Sequence, residues 1–362
     1  MRMDGEHVRT IKTDDIGGDV FSSKRSTLQH ILVEKLGSSF NDNSSFGVSV
    51  VGYKEDVNEQ KVTVQLSNGK EIEGRALLAC DGWRSQVRKQ MLEDDPVHFC
   101  NIAMWWGICN VGQDILQLLE TTQTEEEGGE SFCWFMGDGS RPGNFVGALS
   151  DNKQTFLWSA AQQSEVDPKQ SDDLTIRGGV RGEVVKNELK TLVNEQGRCE
   201  LIKKIVEATS AESMTKVGLY DRQNLDQNMI SLGGLVALLG DAAHPQTPFL
   251  GQGCNMALAD AFAVCIRLCG LSSSEESDDI EVIRTALSCL DDPDRKAFAK
   301  SVVLDARKIA NLSTSTSSVL NSIMRMFMQW APVKYIFPRV DDGNRKYVNQ
   351  ALQDCGLDPL PK

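Results

Sequence analysis

A short, almost wholly apolar run, Leu235–Leu239, is the most distinctive hydrophobic pattern in the chain. The run is partly β-branched and lies between glycines, which predicts a strand covered on both faces. Gly240 and Asp241 follow it, and a segment with helical spacing opens at Gly253. The apolar positions expected to face inward on that helix are Ala257, Ala261, Val264 and Leu268.

A second apolar strand is predicted at residues 76–80, and it too is followed by an acid and a glycine, Asp81-Gly82. A short basic helix comes next, with Ser85 as its N-cap. Ligands of open α/β sheets bind at the C-terminal ends of the strands. The two strand-end acids therefore predict one shared ligand site.

Between Ser26 and Arg75 the pattern changes from helical to strand spacing. An amphipathic helix is predicted over 26–36, followed by a three-strand meander at 48–53, 61–66 and 71–75 with Asn68-Gly69 as a hairpin turn. The side chains expected to point inward from the helix are Leu28, Ile31, Leu32 and Leu36.

The middle of the chain is rich in aromatic residues with strand periodicity. Strands are predicted at 99–111, 132–136, 145–149 and 155–160, and helices at 182–195 and 201–209. This order is typical of an antiparallel sheet with helices on one face. Its aromatic residues either form the sheet core, which the period-two spacing favours, or line an apolar pocket. They are Trp105, Trp106, Trp134, Phe145 and Trp158.

Composition narrows the class of protein. A length of 362 residues allows two domains, and a net charge of −13 argues against a nucleic-acid partner. The ten cysteines include no C-x-x-C pair and the four histidines are scattered, so no metal site and no disulfide framework are predicted. Cys265 and Cys269 share a helix face and are expected to be buried thiols. No signal or transit peptide is read at residues 1–20, and we expect a soluble intracellular protein in a reducing space.

The turn after Asp241 combines stiff residues with glycines. Asp241 offers two acceptor oxygens that suit the hydroxyls of a ribose or ribityl chain, and Pro248 stiffens the turn. Gly251-Gln252-Gly253 leaves backbone N–H groups uncovered at a helix start, where an anion is favoured. The alternative interpretation is a strand-loop-helix crossover whose glycines only ease packing.

The motifs around Asp81 and Asp241 together resemble those of the FAD-dependent aromatic-ring hydroxylases. These are the para-hydroxybenzoate hydroxylase-like monooxygenases, which include zeaxanthin epoxidase and kynurenine monooxygenase. The stretch from Gly240 is similar to the Gly-Asp motif of that family, and Asp81-Gly82 to its Asp-Gly motif. Arg25, before the first helix, is similar to the arginine that the family carries there. The three motifs also occur in the family's order.

The resemblance implies roles for individual residues. Asp241 would bond the ribityl or ribose region of FAD, and the helix at Gly253 would meet the pyrimidine edge of the flavin. Arg25 would lie near the pyrophosphate or the ring, while Asp81 and Arg88 would organise the back of the site. The implied cofactor-binding residues are Arg25, Asp81, Gly82, Arg88, Gly240, Asp241, Pro248, Gly251, Gln252, Gly253 and Asn255. No catalytic residue is assigned, and His244 is expected to have a structural hydrogen-bonding role.

The resemblance also implies an α/β fold with a Rossmann-like FAD-binding domain, an inserted antiparallel-sheet substrate domain and a C-terminal helical segment. The expected divisions are 1–96 and 223–275 for the FAD-binding domain, 97–222 for the substrate domain and 276–362 for the helical region. The sequence contains no Gly-x-Gly-x-x-Gly turn. The nearest glycine string, at 137–143, has a different spacing and is predicted to be a hairpin loop between two strands. We therefore expect the first βαβ unit of the family to be missing from this chain.

Residues 319–337 interleave large apolar side chains with Arg325 and Lys334. One interpretation is an amphipathic helix at a membrane surface, where a lipophilic substrate would be taken up. The favoured interpretation is a C-terminal helix docked on the FAD-binding domain. No transmembrane helix is predicted, since Asn321, Arg325 and Pro332 interrupt the longest apolar region.

The resemblance implies a monooxygenase in which NADH or NADPH reduces FAD and one atom of O2 enters an electron-rich aromatic or alkene substrate. The expected partners are thus a small apolar or aromatic molecule and O2. Two alternatives remain. A related flavin fold could perform a reduction or a halogenation, or the chain could be a non-catalytic homologue that acts as a binding module.

Overall fold

Groups of strands and groups of helices follow one another along the chain in the computed structural model, which describes residues 1–3, 5, 25–93, 96–122, 132–138, 141–150, 152–168, 179–271, 279–331 and 341–360. The strands are β1 (Val50–Asp56), β2 (Lys61–Leu66), β3 (Glu71–Gly74), β4 (Leu77–Ala79), β5 (His98–Asn110), β6 (Phe132–Met136), β7 (Asn144–Leu149), β8 (Thr155–Gln163), β9 (Gly179–Arg181), β10 (Thr215–Asp221) and β11 (Val236–Leu238). The helices are α1 (Arg25–Leu36), α2 (Ser38–Asn43), α3 (Gln86–Met91), α4 (Gln113–Thr122), α5 (Glu183–Glu195), α6 (Glu200–Ala208), α7 (Gly253–Leu271), α8 (Asp279–Ser288), α9 (Pro293–Ser313), α10 (Ser318–Trp330) and α11 (Asp341–Asp354).

The chain divides into two compact units. The motif unit consists of Ser23–His98, Tyr220–Arg307 and Arg339–Lys362. The sheet unit consists of Met1–Ser22, Phe99–Leu219 and Lys308–Pro338. The α/β class, the antiparallel sheet and the helical C-terminal part are as the sequence predicted. The roles of the two units as cofactor and substrate domains stay predictions.

In the motif unit, the two apolar runs that precede the acids pair with each other. β4 and β11 are parallel, with Leu77 opposite Val236 and Ala79 opposite Leu238. The backbone of Leu239 continues the pairing, because its N–H donates to the Ala79 carbonyl at 3.0 Å. The run at 235–239 is buried throughout, as expected of a strand covered on both faces. Since parallel strands end at the same edge, both acids leave the sheet side by side.

The meander predicted before β4 is present as the antiparallel sheet β1-β2-β3. Its second turn depends on Asn68 and Gly69. The Asn68 side-chain oxygen accepts a hydrogen bond from the N–H of Lys70 at 3.1 Å. Gly69 has a φ of +80°, which residues other than glycine rarely adopt.

Helix α7 begins directly after the glycine-rich turn and packs against α8 and α11. Its buried residues are Met256, Ala259, Asp260, Ala263 and Val264. The predicted inward face was therefore wrong in part: Val264 is buried, Ala257 and Leu268 are partly buried and Ala261 is exposed. Cys265 and Cys269 are exposed as well, which corrects the expectation of buried thiols. The helical periodicity predicted the helix correctly, but the face of α7 that is buried is rotated from the predicted face towards the polar Asp260.

By length and composition alone, one helix of the described chain, Gly253–Gly270, is apolar enough to cross a bilayer, which the sequence reasoning overlooked. Two charged residues, Asp260 and Arg267, lie within it. Asp260 is buried and bonded to Arg295, so this charged group lies inside the protein.

Helix α1 forms where it was predicted, but its apolar side is open. Leu28, Ile31, Leu32 and Leu36 are 36–57% exposed, and no residue of the helix is buried. The expectation that these side chains point into a core is wrong for the described protein. An apolar stripe predicts that a face can be buried, but it does not say what would cover it.

The sheet unit is built on a six-stranded sheet with the order β6-β7-β8-β5-β10-β9. The hairpin predicted between β6 and β7 is present as an antiparallel pair with Trp134 opposite Val146. Residues 139 and 140 of its loop lie outside the described residues. One face of the sheet packs on α4, α5 and α6, whose apolar stripes share a core with it. This confirms helices on one face of an antiparallel sheet.

The five aromatic residues of the middle region divide between the two sheet faces. Trp105, Phe145 and Trp158 belong to the core under the helices, where the rings of Phe145 and Trp158 stack at 5.5 Å. Trp106 and Trp134 lie on the opposite face, in one row through Val146 and Ser159. Trp106 is 42% exposed. The core interpretation therefore holds for three of the five, and two remain available to line a pocket.

Helices α9, α10 and α11 give the C-terminal part its helical character. Residues 308–338 group with the sheet unit, whereas 279–307 and 341–360 group with the motif unit. The predicted helical region at 276–362 stays a prediction as a separate domain. Helix α10 groups with the sheet unit, and its docking on an FAD-binding domain stays a prediction. Residues 332–340 lie outside the described residues.

Candidate functional site

The candidate site lies at the edge where β4 and β11 end. Asp81 and Gly82 follow β4, and Gly240 and Asp241 follow β11. Gly240 has a φ of +56°, and a Cβ placed on it would lie 2.9 Å from the Cβ of Ala257. Only glycine meets both conditions, because a side chain there would be strained and would also push α7 away. The glycine before Asp241 thus brings the start of α7 against the end of β11.

Arg88 connects the two motifs. Its buried guanidinium donates to the Ala242 carbonyl at 2.8 Å and to the Trp83 carbonyl at 2.6 Å. A longer bond of 3.4 Å reaches the carbonyl of Asp241. Because these acceptors are backbone atoms of both loops, Arg88 fixes the shape of the edge. Its predicted role at the back of a cofactor site stays a prediction.

Asp81 uses one carboxylate oxygen to start helix α3. Its Oδ2 accepts from the N–H of Gln86 at 2.9 Å and, more weakly, from Val87 at 3.5 Å. Ser85 caps the same helix, since its Oγ accepts from the N–H of Arg88 at 2.9 Å, as predicted. Gly82 lies between them with a φ of +80° and open space where a Cβ would be. The structure therefore places Asp81 and Gly82 in an open turn, where Asp81 also stabilises the start of helix α3.

Asp241 is solvent accessible, yet burial raises the pKa of its carboxyl group. Attraction to His244, Arg25 and Arg88 opposes that rise. Together the two observations describe a carboxylate that solvent reaches from one side while protein surrounds it on the others. The electrostatic influence of Arg25 and Arg88 also shows that residues of all three sequence motifs lie near one another in the motif unit.

Asp241 faces the beginning of α7. A Cβ placed on Gly253 would lie 3.7 Å from Oδ1 of Asp241 and 3.9 Å from Nε2 of Gln246. The glycine therefore leaves a cradle between the carboxylate and the helix end. The first hydrogen bond of the helix runs from Met256 N–H to the Gln252 carbonyl at 2.9 Å. The N–H groups before Met256 point out of the helix end, where no acid in the first turn offsets the dipole.

The turn that leads to α7 is a 3₁₀ segment, Pro248–Leu250, with the exposed Pro248 at its start. Gly251 follows with a φ of +64° and open space where a Cβ would be. Gln252 donates to the Leu250 carbonyl at 3.4 Å and accepts from the Asn255 side chain at 3.3 Å. The predicted residues of this turn thus lie together at the open end of the helix.

A buried ionic network supports the site from below, and the sequence reasoning found only one of its members. His244 Nε2 lies 2.8 Å from Asp260 Oδ2, which also accepts from the N–H of Gly240 at 3.0 Å. Arg295 donates to Asp260 Oδ1 at 2.6 and 3.1 Å and to Asn344 at 2.8 Å. The expected structural role of His244 agrees with these bonds. Asp260 could have been recognised in the sequence as an acid among the apolar residues of helix α7.

Burial alone would raise the pKa of Asp260, but His244 and Arg295 attract its negative charge and the Gly240 N–H bonds to it. The result is a pKa lowered to about 2. Asp260 is therefore ionised at neutral pH and holds Gly240 in place. This network fixes the residue immediately before Asp241.

Two polar side chains beside the cradle were also missed. Oε1 of Gln246 and Oγ1 of Thr247 are buried, and neither has a hydrogen-bond partner among the described residues. Buried polar atoms of this kind usually bind a ligand or water. Their position in the loop between Asp241 and Gly253 fits a bound polar group. A carboxylate, a helix end and two unsatisfied polar atoms are also the donors and acceptors that a flavin and its ribityl chain require.

Comparison with known proteins agrees with this geometry. The family model described as FAD binding domain matches residues 19–280, and the chain belongs to that family. Aurachin C monooxygenase/isomerase of Stigmatella aurantiaca is 28% identical over 257 residues, which cover 70% of this chain and 57% of that protein. Chloroplastic zeaxanthin epoxidase of Spinacia oleracea is 28% identical over 246 residues, 67% of this chain and 31% of the epoxidase. The chain thus spans from about a third to just over half the length of these relatives.

Solved structures show the same fold. Klebsiella pneumoniae HpxO, complexed with FAD and uric acid, superposes with a TM-score of 0.66 at 19% identity, over 89% of this chain and 71% of that one. A salicylate hydroxylase substrate complex superposes with a TM-score of 0.63 at 18% identity, over 90% and 75%. The resemblance to FAD-dependent monooxygenases is confirmed, and with it FAD as the cofactor of the family.

Proposed function

We propose that this chain is the FAD-dependent core of a monooxygenase that uses NADH or NADPH and O2 to insert one oxygen atom into an electron-rich aromatic or alkene substrate. The observation that carries the proposal is the cradle in which Asp241 Oδ1 faces Gly253 at the joint end of two parallel strands. A crossover that only eased packing would not need an open carboxylate opposite a helix end.

In this proposal Asp241 accepts hydrogen bonds from the ribityl or ribose hydroxyls of FAD. The backbone N–H groups at residues 251–255 hold the pyrimidine edge, where the helix dipole favours negative charge. Gln246 and Thr247 complete the set of polar partners with their buried oxygens. FAD, when bound and reduced, supplies the oxygen chemistry, and the protein supplies position and electrostatics.

Arg25, Asp81, Gly82 and Arg88 have supporting parts in the same proposal. Arg88 holds the two loops together through their carbonyls, and Asp81 starts α3 beside the open turn at Gly82. Arg25 is exposed and acts on Asp241 through its charge, which suits a contact with the pyrophosphate. None of these residues is proposed to exchange a proton with substrate.

The sheet unit is proposed to contact the substrate. Trp106 and Trp134 share the sheet face opposite the helices, and the Trp134 indole N–H is buried without a partner in the described chain. An aromatic face with one free donor suits an apolar ring that carries an oxygen substituent.

All ten cysteines are free thiols, which supports a reducing compartment.

The proposal is tested on the purified 362-residue chain after incubation with FAD and removal of free cofactor. We expect a flavin absorption spectrum near one equivalent, bleaching by NADH or NADPH without air, and oxygen-18 from ¹⁸O₂ in the product from a panel of phenols and alkenes. A folded but colourless protein would favour the binding module instead. Bound flavin that is bleached but never transfers oxygen would favour a reductase.

A further inference from the structure

Helix α10 presents a continuous apolar face to solvent. Six large side chains make up this face, and each is 40–75% exposed. They are Val319, Leu320, Ile323, Met326, Phe327 and Trp330. At 100° per residue all six fall on one side of the helix. The face includes three turns of the helix and belongs to no hydrophobic core of the described protein.

The opposite side of α10 holds the helix to the protein. Asn321 and Met328 are buried there, and the Asn321 amide donates to the Ser315 carbonyl at 3.0 Å. Ser317 caps the helix by accepting from the N–H of Leu320 at 3.4 Å. The buried Asn321 and Met328 mark the side of the helix that faces the protein, so its exposed apolar side is presented outward.

The charge around α10 differs from that of the rest of the chain. Residues 306–340 contain five Lys or Arg and no Asp or Glu, although the whole chain has a net charge of −13. Within α10 itself Arg325 is the one charged residue, and it donates to Ser322 at 2.9 Å. Lys334 and Arg339 lie outside the described residues. Arg307 is ion-paired with Asp221, and the remaining excess of positive charge in this segment is complementary to an anionic surface.

We propose that the exposed face of α10 docks on the surface of an anionic lipid bilayer. A helix of 13 residues is about 20 Å long, which is too short to span the bilayer but sufficient to lie in its interface. The six apolar side chains enter the headgroup boundary, Trp330 lies at headgroup level, and the cationic charge adds attraction to acidic lipids. This inference goes beyond the proposed oxygen transfer and lies outside the family match at 19–280.

The test is sedimentation of the 362-residue chain with phosphatidylcholine vesicles that contain about 30% phosphatidylserine, or none. The double variant Phe327→Ser with Trp330→Ser removes two aromatic side chains from the face. The matched control, Phe46→Ser with Leu232→Ser, removes two exposed large apolar side chains of the motif unit. Circular dichroism checks that all three proteins are folded, and light scattering gives their mass.

We expect the wild type and the control to bind, more strongly with phosphatidylserine, and the α10 double variant to partition about tenfold less or worse. Equal binding by the α10 variant and the wild type would overturn the proposal, as would failure of the wild type to bind either vesicle. A dimer that the α10 variant abolishes, without vesicle binding, would assign the face to a second copy instead. None of these readouts depends on flavin.

Discussion

The carboxylate of Asp241 faces the first residue of helix α7, with Oδ1 only 3.7 Å from the position that a Cβ on Gly253 would take. These residues are 12 positions apart and reach each other because the intervening turn is fixed at both ends. At the strand end, Arg88 donates a hydrogen bond to the carbonyl of Asp241. Asp260 of helix α7 accepts a hydrogen bond from the N–H of Gly240 and so joins the helix to the strand end. The cradle is thus built by residues that do not line it.

Asp241 should lower the stability of the protein at neutral pH. Burial raises the pKa of its carboxyl, so the folded state binds a proton more readily than the unfolded state, and stability rises as pH falls through the folded pKa. Asp241→Asn should increase the free energy of unfolding at pH 7 by about a few tenths of a kcal/mol, because solvent screens this accessible group. Urea unfolding from pH 3 to 7 measures it, with the exposed Asp358→Asn as control. Equal pH dependence in both variants would contradict the assignment.

Asp260 should have the opposite effect. Its pKa of about 2 lies below the unfolded value, so its stabilising contribution is present above about pH 4 and is lost as pH falls towards 2. Asp260→Asn should cost about 3–5 kcal/mol at pH 7, because it leaves the buried Arg295 without its partner. Asp294→Asn removes the exposed pair with Lys346 and should cost under about 1 kcal/mol. Similar losses in the two variants, measured by urea unfolding, would argue against the buried network.

Arg88 should not be replaceable by lysine. A lysine keeps the charge but cannot reach the Ala242 and Trp83 carbonyls together, so Arg88→Lys should cost about 2 kcal/mol and weaken FAD binding. Arg84, whose guanidinium lies 4.5 Å over the ring of Trp83, is the control. Arg84→Lys should change the melting temperature little. If the two variants melt alike, Arg88 does not join the motifs.

Gly240 should be required for two separable reasons. Gly240→Ala adds both left-handed strain and a close contact with Ala257, whereas Gly37 has a similar φ of +58° and open space around it. Gly37→Ala should therefore cost about 1–3 kcal/mol from backbone strain alone. Gly240→Ala should cost about 1–3 kcal/mol more, since α7 must shift. Chemical unfolding of both variants separates the contributions, and equal costs would show that the contact is unimportant.

The two neighbouring tryptophans of β5 should behave differently. Trp105→Ala empties a core position and should destabilise the protein by about 3–5 kcal/mol. Trp106→Ala removes a half-exposed ring and should cost about 1 kcal/mol or less. If Trp106 lines the substrate site, its loss should raise KM for aromatic substrates. Equal melting temperatures would show that the two faces were assigned incorrectly.

Much of the fold and site follows from local sequence. Strand, acid, turn and glycine-opened helix are consecutive from Leu235 to Gly253, so each local preference supports the next. A shared site was predicted from the acids that follow β4 and β11, but the parallel pairing of these strands was not. The hairpin of β6 and β7 is likewise local.

The remainder depends on contacts between distant residues. Asp260 and Arg295 are 35 residues apart on different helices, and no spacing rule connects them. The exposure of Leu32 and Cys265 could not be foreseen, because periodicity identifies a helix face without saying what covers it. Gln246 and Thr247 have ordinary turn composition, and only their buried, unpartnered oxygens draw notice.

The most direct measurement of the central claim is the dissociation constant for FAD of three proteins: the wild type, Gly253→Val and Gly74→Val. Valine at 253 would fill the cradle beside Asp241, whereas valine at 74 lies on the exposed strand β3. We predict equal affinity for the wild type and Gly74→Val, and at least about a tenfold loss for Gly253→Val. Undiminished binding by Gly253→Val, or no binding by the wild type, would contradict a flavin site between Asp241 and helix α7.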